Sequence, residues 1–337
     1  MAYFGSAGLC PCESGKPFNE CCLIRSETAS PLNALKSYIQ SALGKSTFSS
    51  IEELNTELDR IMGVRNTTPV EEFSWLSPEH MTRFLYFPFE SSNLIEFSTD
   101  IKSFTESPFI KLFLFLIQRC HESSGLKATA KGNLPRNLCR DIALDYYGEE
   151  VYRGRLKYFR IMTEADFMEL HTVRIVAGMA GFIKRARGRF ILTKTGKDVA
   201  HKNIDGNTFH KLLKAYTRKF NWGFNDRYPE LPIVQNSFLY TLFVLKKHGD
   251  IFRPGSFYED LFFKAFPNAV NEVLETSFSS KEELVRRCYA IRCLERFACF
   301  WGFAQGKIFH SDHTIKKFEL KKTSLLDELA RFHIGGN

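Results

Sequence analysis

The chain has 337 residues, 44% of them apolar and 25% charged, with 21 Gly and 12 Pro. That excludes a disordered chain, which could not bury enough apolar surface to offset its conformational entropy, and it excludes collagen-like or low-complexity sequence. The net charge of +8 is uneven: residues 51–110 carry 4 basic and 11 acidic groups, whereas residues 111–222 carry 22 and 10. The length suggests several domains of about 100–200 residues each. No apolar run reaches the ~18 residues of a membrane span, and residues 1–8 lack the basic and apolar regions of an export signal. A cytoplasmic protein with no membrane partner is therefore expected. In that reducing compartment the nine cysteines are expected as metal ligands or core thiols. The 33 Phe read as core filling.

The first feature along the chain is a cysteine cluster, Cys10, Cys12, Cys21 and Cys22, spaced C-x-C-x8-C-C. A segment this short cannot build an apolar core and needs a staple, which four thiolates around a tetrahedral Zn²⁺ supply. Such a zinc has no open position and is structural, not catalytic. Gly15 permits the turn between the ligand pairs. The run Cys10-Pro11-Cys12, Ser14-Gly15-Lys16, Phe18, Cys21-Cys22 resembles the SEC-C motif, the zinc module first described at the C-terminus of the SecA translocation ATPase. Glu13 and Asn19 depart from that motif's usual glycine and basic residue. The resemblance implies one structural Zn²⁺ per chain and a docking role toward a protein, a ribosome or another ribonucleoprotein. It says nothing about enzymatic activity.

Beyond residue 30 the pattern is mostly helical. Apolar residues at 32, 35, 38, 39, 42 and 43 make one helical stripe. Ser50-Ile51-Glu52-Glu53 reads as a capping box opening a helix to Met62, and Ser77-Pro78 as an N-cap followed by proline at the first helical position. Residues 63–69 read as a linker, and 87–100 as irregular or short-stranded. A grammar of helix, glycine, short strands and helix then occurs three times, with leading helices expected at 108–123, 164–180 and 280–301. A final helix is expected over 324–332. The grammar resembles the wing of a winged-helix domain. The expected fold is α+β and predominantly α-helical. It comprises an N-terminal zinc-binding SEC-C module (1–28), an acidic helical segment (29–107), a basic winged-helix-like region (108–222) and a C-terminal helical domain with a winged-helix-like end (223–337).

The middle copy is the clearest. Phe182-Ile183 and Phe190-Ile191-Leu192 flank a tight Arg187-Gly188 turn, as a hairpin should. Lys184, Arg185, Arg187 and Arg189 crowd that hairpin with positive charge, which suits phosphate contact. The helix before it offers only His171, Thr172 and Arg174 to read base edges, a thin set. Cys288, Cys293, Cys299, His310 and His313 read as core thiols and solvated imidazoles rather than a second metal site. Trp75, Trp222 and Trp301, each in aromatic company, read as core anchors. No H-E-x-x-H, P-loop or dinucleotide fingerprint is present. The expectation is a zinc-binding, non-enzymatic adaptor. A nucleic-acid-binding regulator using the 184–189 hairpin is the alternative, and a hydrolase or nuclease is weaker still.

Overall fold

The structure is a computed structural model. It describes residues 31–44, 46–156, 160–202, 204–224, 226–274, 279–309 and 317–334. The chain divides into two compact units, residues 1–69 and 70–337.

The described part of the first unit is two helices, α1 (Pro31–Leu43) and α2 (Ile51–Thr67). The Ser50 hydroxyl accepts from the Glu53 N–H at 3.1 Å. Glu53 itself turns to the N–H and hydroxyl of Ser49, at 2.8 and 2.6 Å, so the box closes one residue early. The helix also runs through the stretch read as a linker. The hydroxyls of Thr67 and Thr68 donate to the carbonyls of Gly63 and Val64, at 2.9 and 2.6 Å. Side chains thus satisfy the last carbonyls, and Gly63 does not act as a stop.

The second unit holds, in chain order, α3 (Pro78–Tyr86), β1 (Ile95–Phe97), α4 (Pro108–Glu122), β2 (Leu126–Lys127), α5 (Arg136–Tyr147), α6 (Glu149–Leu156), α7 (Met168–Met179), β3 (Ile183–Ala186), β4 (Arg189–Leu192), α8 (Lys194–Lys202), α9 (Gly206–Arg218), α10 (Pro232–Asn236), α11 (Phe238–His248), β5 (Arg253–Pro254), α12 (Gly255–Ala265), α13 (Lys281–Tyr289), β6 (Ala304–Phe309), β7 (Lys317–Lys322), α14 (Ser324–Leu329) and β8 (Ala330–Phe332). The protein is predominantly helical, with small antiparallel sheets. Serine caps open several helices, of which the sequence reading named the one at Ser77. Ser77 accepts from the His80 N–H at 3.2 Å, Ser107 from that of Ile110 at 3.3 Å, and Ser280 from that of Glu283 at 3.3 Å.

Two stretches follow one order of helix, short strand, helix, helix, hairpin. The first module is α4, β2, α5, α7 and β3–β4, with α6 inserted; the second is α11, β5, α12, α13 and β6–β7. Each closes a three-stranded sheet in which the short strand pairs with the second strand of the hairpin, giving orders β2-β4-β3 and β5-β7-β6. The grammar that reads as three copies is therefore two. A two-residue strand such as β2 has no ladder of its own, and it joins the middle copy's sheet through Leu126↔Phe190 and Lys127↔Arg189.

Three expected helices change character. The 164–180 helix begins as a 3-10 turn, Glu164–Asp166, before α7. The 280–301 helix becomes a π-helix over Ala290–Cys299 after α13. The 324–332 helix stops at Leu329, because Ala330–Phe332 pairs with β1 in the register Ile95↔Phe332.

Both modules share one core. Phe109 of α4 stacks on Trp301 with ring centroids 4.1 Å apart, and Tyr216 packs at 5.3 Å from Trp301. The Phe109 N–H donates to the Phe300 carbonyl at 2.9 Å. Most of the Phe surplus goes here, each fully buried ring contributing roughly 1.5–3 kcal/mol. Trp222 is buried, its Nε1 donating to the Tyr216 carbonyl at 3.0 Å. Trp75 departs from the core reading. It is 59% exposed on a turn where Ser74 and Trp75 both have positive φ, 57° and 71°. No helix among the described residues is long and apolar enough to cross a membrane.

Candidate functional site

The β3–β4 hairpin forms as its residues dictate. Arg187 and Gly188 have φ of 48° and 70°, the left-handed pair that a two-residue turn needs to match strand twist. Phe182, Ile183, Phe190 and Leu192 are buried and anchor the hairpin to its module. Lys184, Arg185 and Arg187 are exposed, and among the described residues they have no ion pair or hydrogen bond. Arg189 differs. Its guanidinium donates to the carbonyls of Ser123 and Gly125, at 3.2 and 2.5 Å, tying the hairpin to the end of α4. The four candidate residues thus divide into three cations without a partner among the described residues and one brace.

The sheet adds two residues that the sequence reading missed. The register sets Lys127 of β2 opposite Arg189, and Lys131 is exposed in the loop that follows. Neither has an acidic partner among the described residues. Arg185 reaches the same loop: a Cβ on Gly132 would stand 2.7 Å from its Nη1. Only strand pairing brings these cations to the hairpin, because Lys127 and Lys131 lie far upstream of it in the chain.

The residues read as base readers on α7 are not available. His171 and Thr172 are buried. Arg174 forms a close ion pair with the fully buried Glu164. The same carboxylate lies 3.2 Å from His171 Nδ1 and accepts from the Leu134 N–H at 2.6 Å. Burial pushes the Glu164 carboxyl up, but the His171 hydrogen bond, the Arg174 charge and hydrogen bond and the Leu134 N–H outweigh it, holding the group below the usual 4.5. Arg174 also lies over the Phe190 ring at 4.9 Å, and His171 stacks on Phe224 at 5.5 Å. The spacing carries no signal for this pair: on one continuous helix Arg174 would lie about 15 Å along the axis from Glu164, and only the break between the Glu164–Asp166 turn and α7 folds the carboxylate back onto it.

Cys10, Cys12, Cys21 and Cys22 lie outside the described residues, as do His310 and His313. Cys120, Cys139, Cys288 and Cys293 are buried and Cys299 is partly so. Burial pushes the Cys139, Cys288 and Cys299 thiols up to about 12, so they are protonated and inert at neutral pH. Among the described residues no group of three or more His, Cys, Asp or Glu could hold a metal ion.

The family model of the Y4jL N-terminal domain matches residues 105–205, from the turn before α4 to the residue before α9. This match overturns the resemblance to the SEC-C family read from residues 10–22. A short cysteine pattern answers to metal geometry alone and can arise on unrelated chains. The docking role implied by the SEC-C resemblance loses that support. No curated protein and no solved structure matches the chain, and what it is similar to is the Y4jL N-terminal domain over the first module and α8.

Proposed function

We propose that the chain is a non-enzymatic, cytoplasmic nucleic-acid-binding protein built on two winged-helix-like modules, whose first hairpin lies along the phosphates of a duplex. One observation carries the reading: Lys127, Lys131, Lys184, Arg185 and Arg187 are exposed on one small sheet and its adjoining loop, without acidic partners among the described residues. Like charges gathered on one element without counter-charges favour a polyanionic partner. Strand orders β2-β4-β3 and β5-β7-β6, each following helix, strand, helix, helix, support the winged-helix-like description. With His171 and Thr172 buried and Arg174 paired with Glu164, contacts are expected with the backbone and not with base edges, so binding is sequence-tolerant. Anisotropy titration of random duplexes across a salt series tests this. Five phosphate contacts give a slope of log affinity against log salt of about −4.5 on DNA. A flat salt response, or unchanged affinity when all five residues become Ala, removes the reading.

The four-cysteine set carries a second proposal through its donor chemistry alone. Cys10, Cys12, Cys21 and Cys22 hold one structural Zn²⁺, with four thiolates and no replaceable water. Metal analysis under reducing conditions is expected to find about one Zn²⁺ per chain, and almost none in the Cys21→Ser/Cys22→Ser variant. Native protein free of zinc removes this proposal.

A further inference from the structure

Both modules line one cavity of about 560 Å³, within the range of roughly 300–1,000 Å³ that holds small organic ligands. Aromatic rings make much of its wall: Tyr216, Phe220, Trp222 and Phe224 beside α7, and Phe300 and Phe318 from the second module. Its polar groups come mainly from the π-helix, which supplies Arg292, Glu295, Arg296 and Cys299. Segments of π geometry are rare and occur frequently at functional sites. Here they form two rows, Arg292 with Arg296 and Glu295 with Cys299. From α7 come Glu169 and Thr172.

The two arginines are unequally engaged. Arg292 grips the buried Asp226 through both oxygens, Nε to Oδ2 at 2.7 Å and Nη2 to Oδ1 at 3.0 Å. It also donates to the Pro229 carbonyl at 3.0 Å. Arg296 reaches the same carboxylate only at 3.6 Å, and its side chain is 35% exposed. One carboxylate with both oxygens committed thus faces two guanidiniums. Arg296 retains donors that an anion can take in charge-assisted hydrogen bonds. Glu169 and Glu295 also line the cavity, and their negative charge disfavours a highly charged ligand.

We propose that this cavity binds a small planar heteroaromatic ligand carrying one anionic group, with its ring among the aromatic side chains and its anion on Arg296. Two sources share that chemistry, a nucleoside monophosphate and an aromatic carboxylate. Calorimetric titration of the full chain separates them, using adenosine monophosphate and indole-3-acetate as probes, with adenosine, inorganic phosphate and ATP as comparisons. One of the two aromatic anions is expected to bind saturably and to quench Trp222 fluorescence. Adenosine, phosphate and ATP are each expected to bind at least about tenfold more weakly than the better probe. Arg296→Gln is expected to weaken that probe by about tenfold or more, and Arg296→Lys by less. Thr172→Trp, which fills the cavity from the α7 wall and leaves Arg296 in place, is expected to abolish binding. The proposal is overturned if neither aromatic anion binds saturably, if phosphate alone binds as well as adenosine monophosphate, or if Thr172→Trp protein with a native melting transition binds as tightly as the parent.

Discussion

The two modules repeat one topology with opposite uses of charge. In the first, the hairpin turns in two residues, and Lys184, Arg185 and Arg187 stand in solvent without partners among the described residues. In the second, most of the described hairpin cations are engaged. Lys307 Nζ lies 3.8 Å from the centroid of the Phe252 ring, and Lys322 Nζ bridges Asp250 at 2.9 Å and Asp327 at 3.1 Å. Lys321 is exposed, and its charge acts on the same Asp250. For Lys322 the difference lies in neighbouring acids. Asp250 sits just before β5 and Asp327 within α14, whereas Ser123 and Ser124 occupy the turn before β2. A shared topology therefore does not decide whether a basic hairpin is free to meet a phosphate; the acids and rings beside it do.

The largest expected effect breaks the first module at its buried charge. Glu164→Ala leaves Arg174 and His171 without their carboxylate, and a thermal or denaturant melt is expected to show a loss of about 3–5 kcal/mol. Because the folded Glu164 carboxyl is held below 4.5, its contribution to stability is complete above that value. It is lost as the pH falls through the depressed folded value. Parent protein should lose stability across that acid window, and Glu164→Gln should respond less.

Next in size is the contrast between hairpins. Replacing Lys184, Arg185 and Arg187 by Ala is expected to make the salt slope shallower by roughly 2.7. Replacing Lys307 and Lys322 by Ala is expected to leave the slope unchanged while lowering the melting temperature. A slope that moves only with the second pair would reverse the comparison.

Smaller still is Gly188→Ala. A Cβ at that position meets no neighbour within 4 Å, so the cost is that of the left-handed backbone alone, about 1 kcal/mol. The smallest effect on binding is expected from Arg189→Ala. Its guanidinium is spent on the Ser123 and Gly125 carbonyls, so stability should fall by about 1 kcal/mol with little change in the salt slope. A slope change matching that of Arg187→Ala would show Arg189 acting as a phosphate contact.

Parts of this site can be read directly from the chain. Alternation over 182–192 around an Arg-Gly turn marks the hairpin, because period-2 burial and the turn's left-handed demand are both local. The caps at Ser77, Ser107 and Ser280 are local for the same reason, since each side chain serves an N–H three residues on. Lys127 and Lys131 are invisible as hairpin neighbours, because a two-residue strand has too little pattern to announce its partner. The π-helix is equally hidden: residues 280–301 carry an ordinary helical pattern, and packing around Arg292 and Asp226 accompanies the change. Arg174 looks like a base reader until Glu164 is folded against it.

What the residues settle on their own is therefore short-range: helix starts, the hairpin turn, the cysteine spacing at 10–22 and the basic excess of 111–222. Each rests on hydrogen bonds, backbone preferences or composition within a few residues or one segment. The third dimension alone settles which cations are neutralised, which polar groups are buried and where a cavity opens. Those outcomes depend on Coulomb and desolvation energies between groups distant in the chain, such as Asp226 with Arg292 or Lys322 with Asp250, and only the folded core brings such groups within reach.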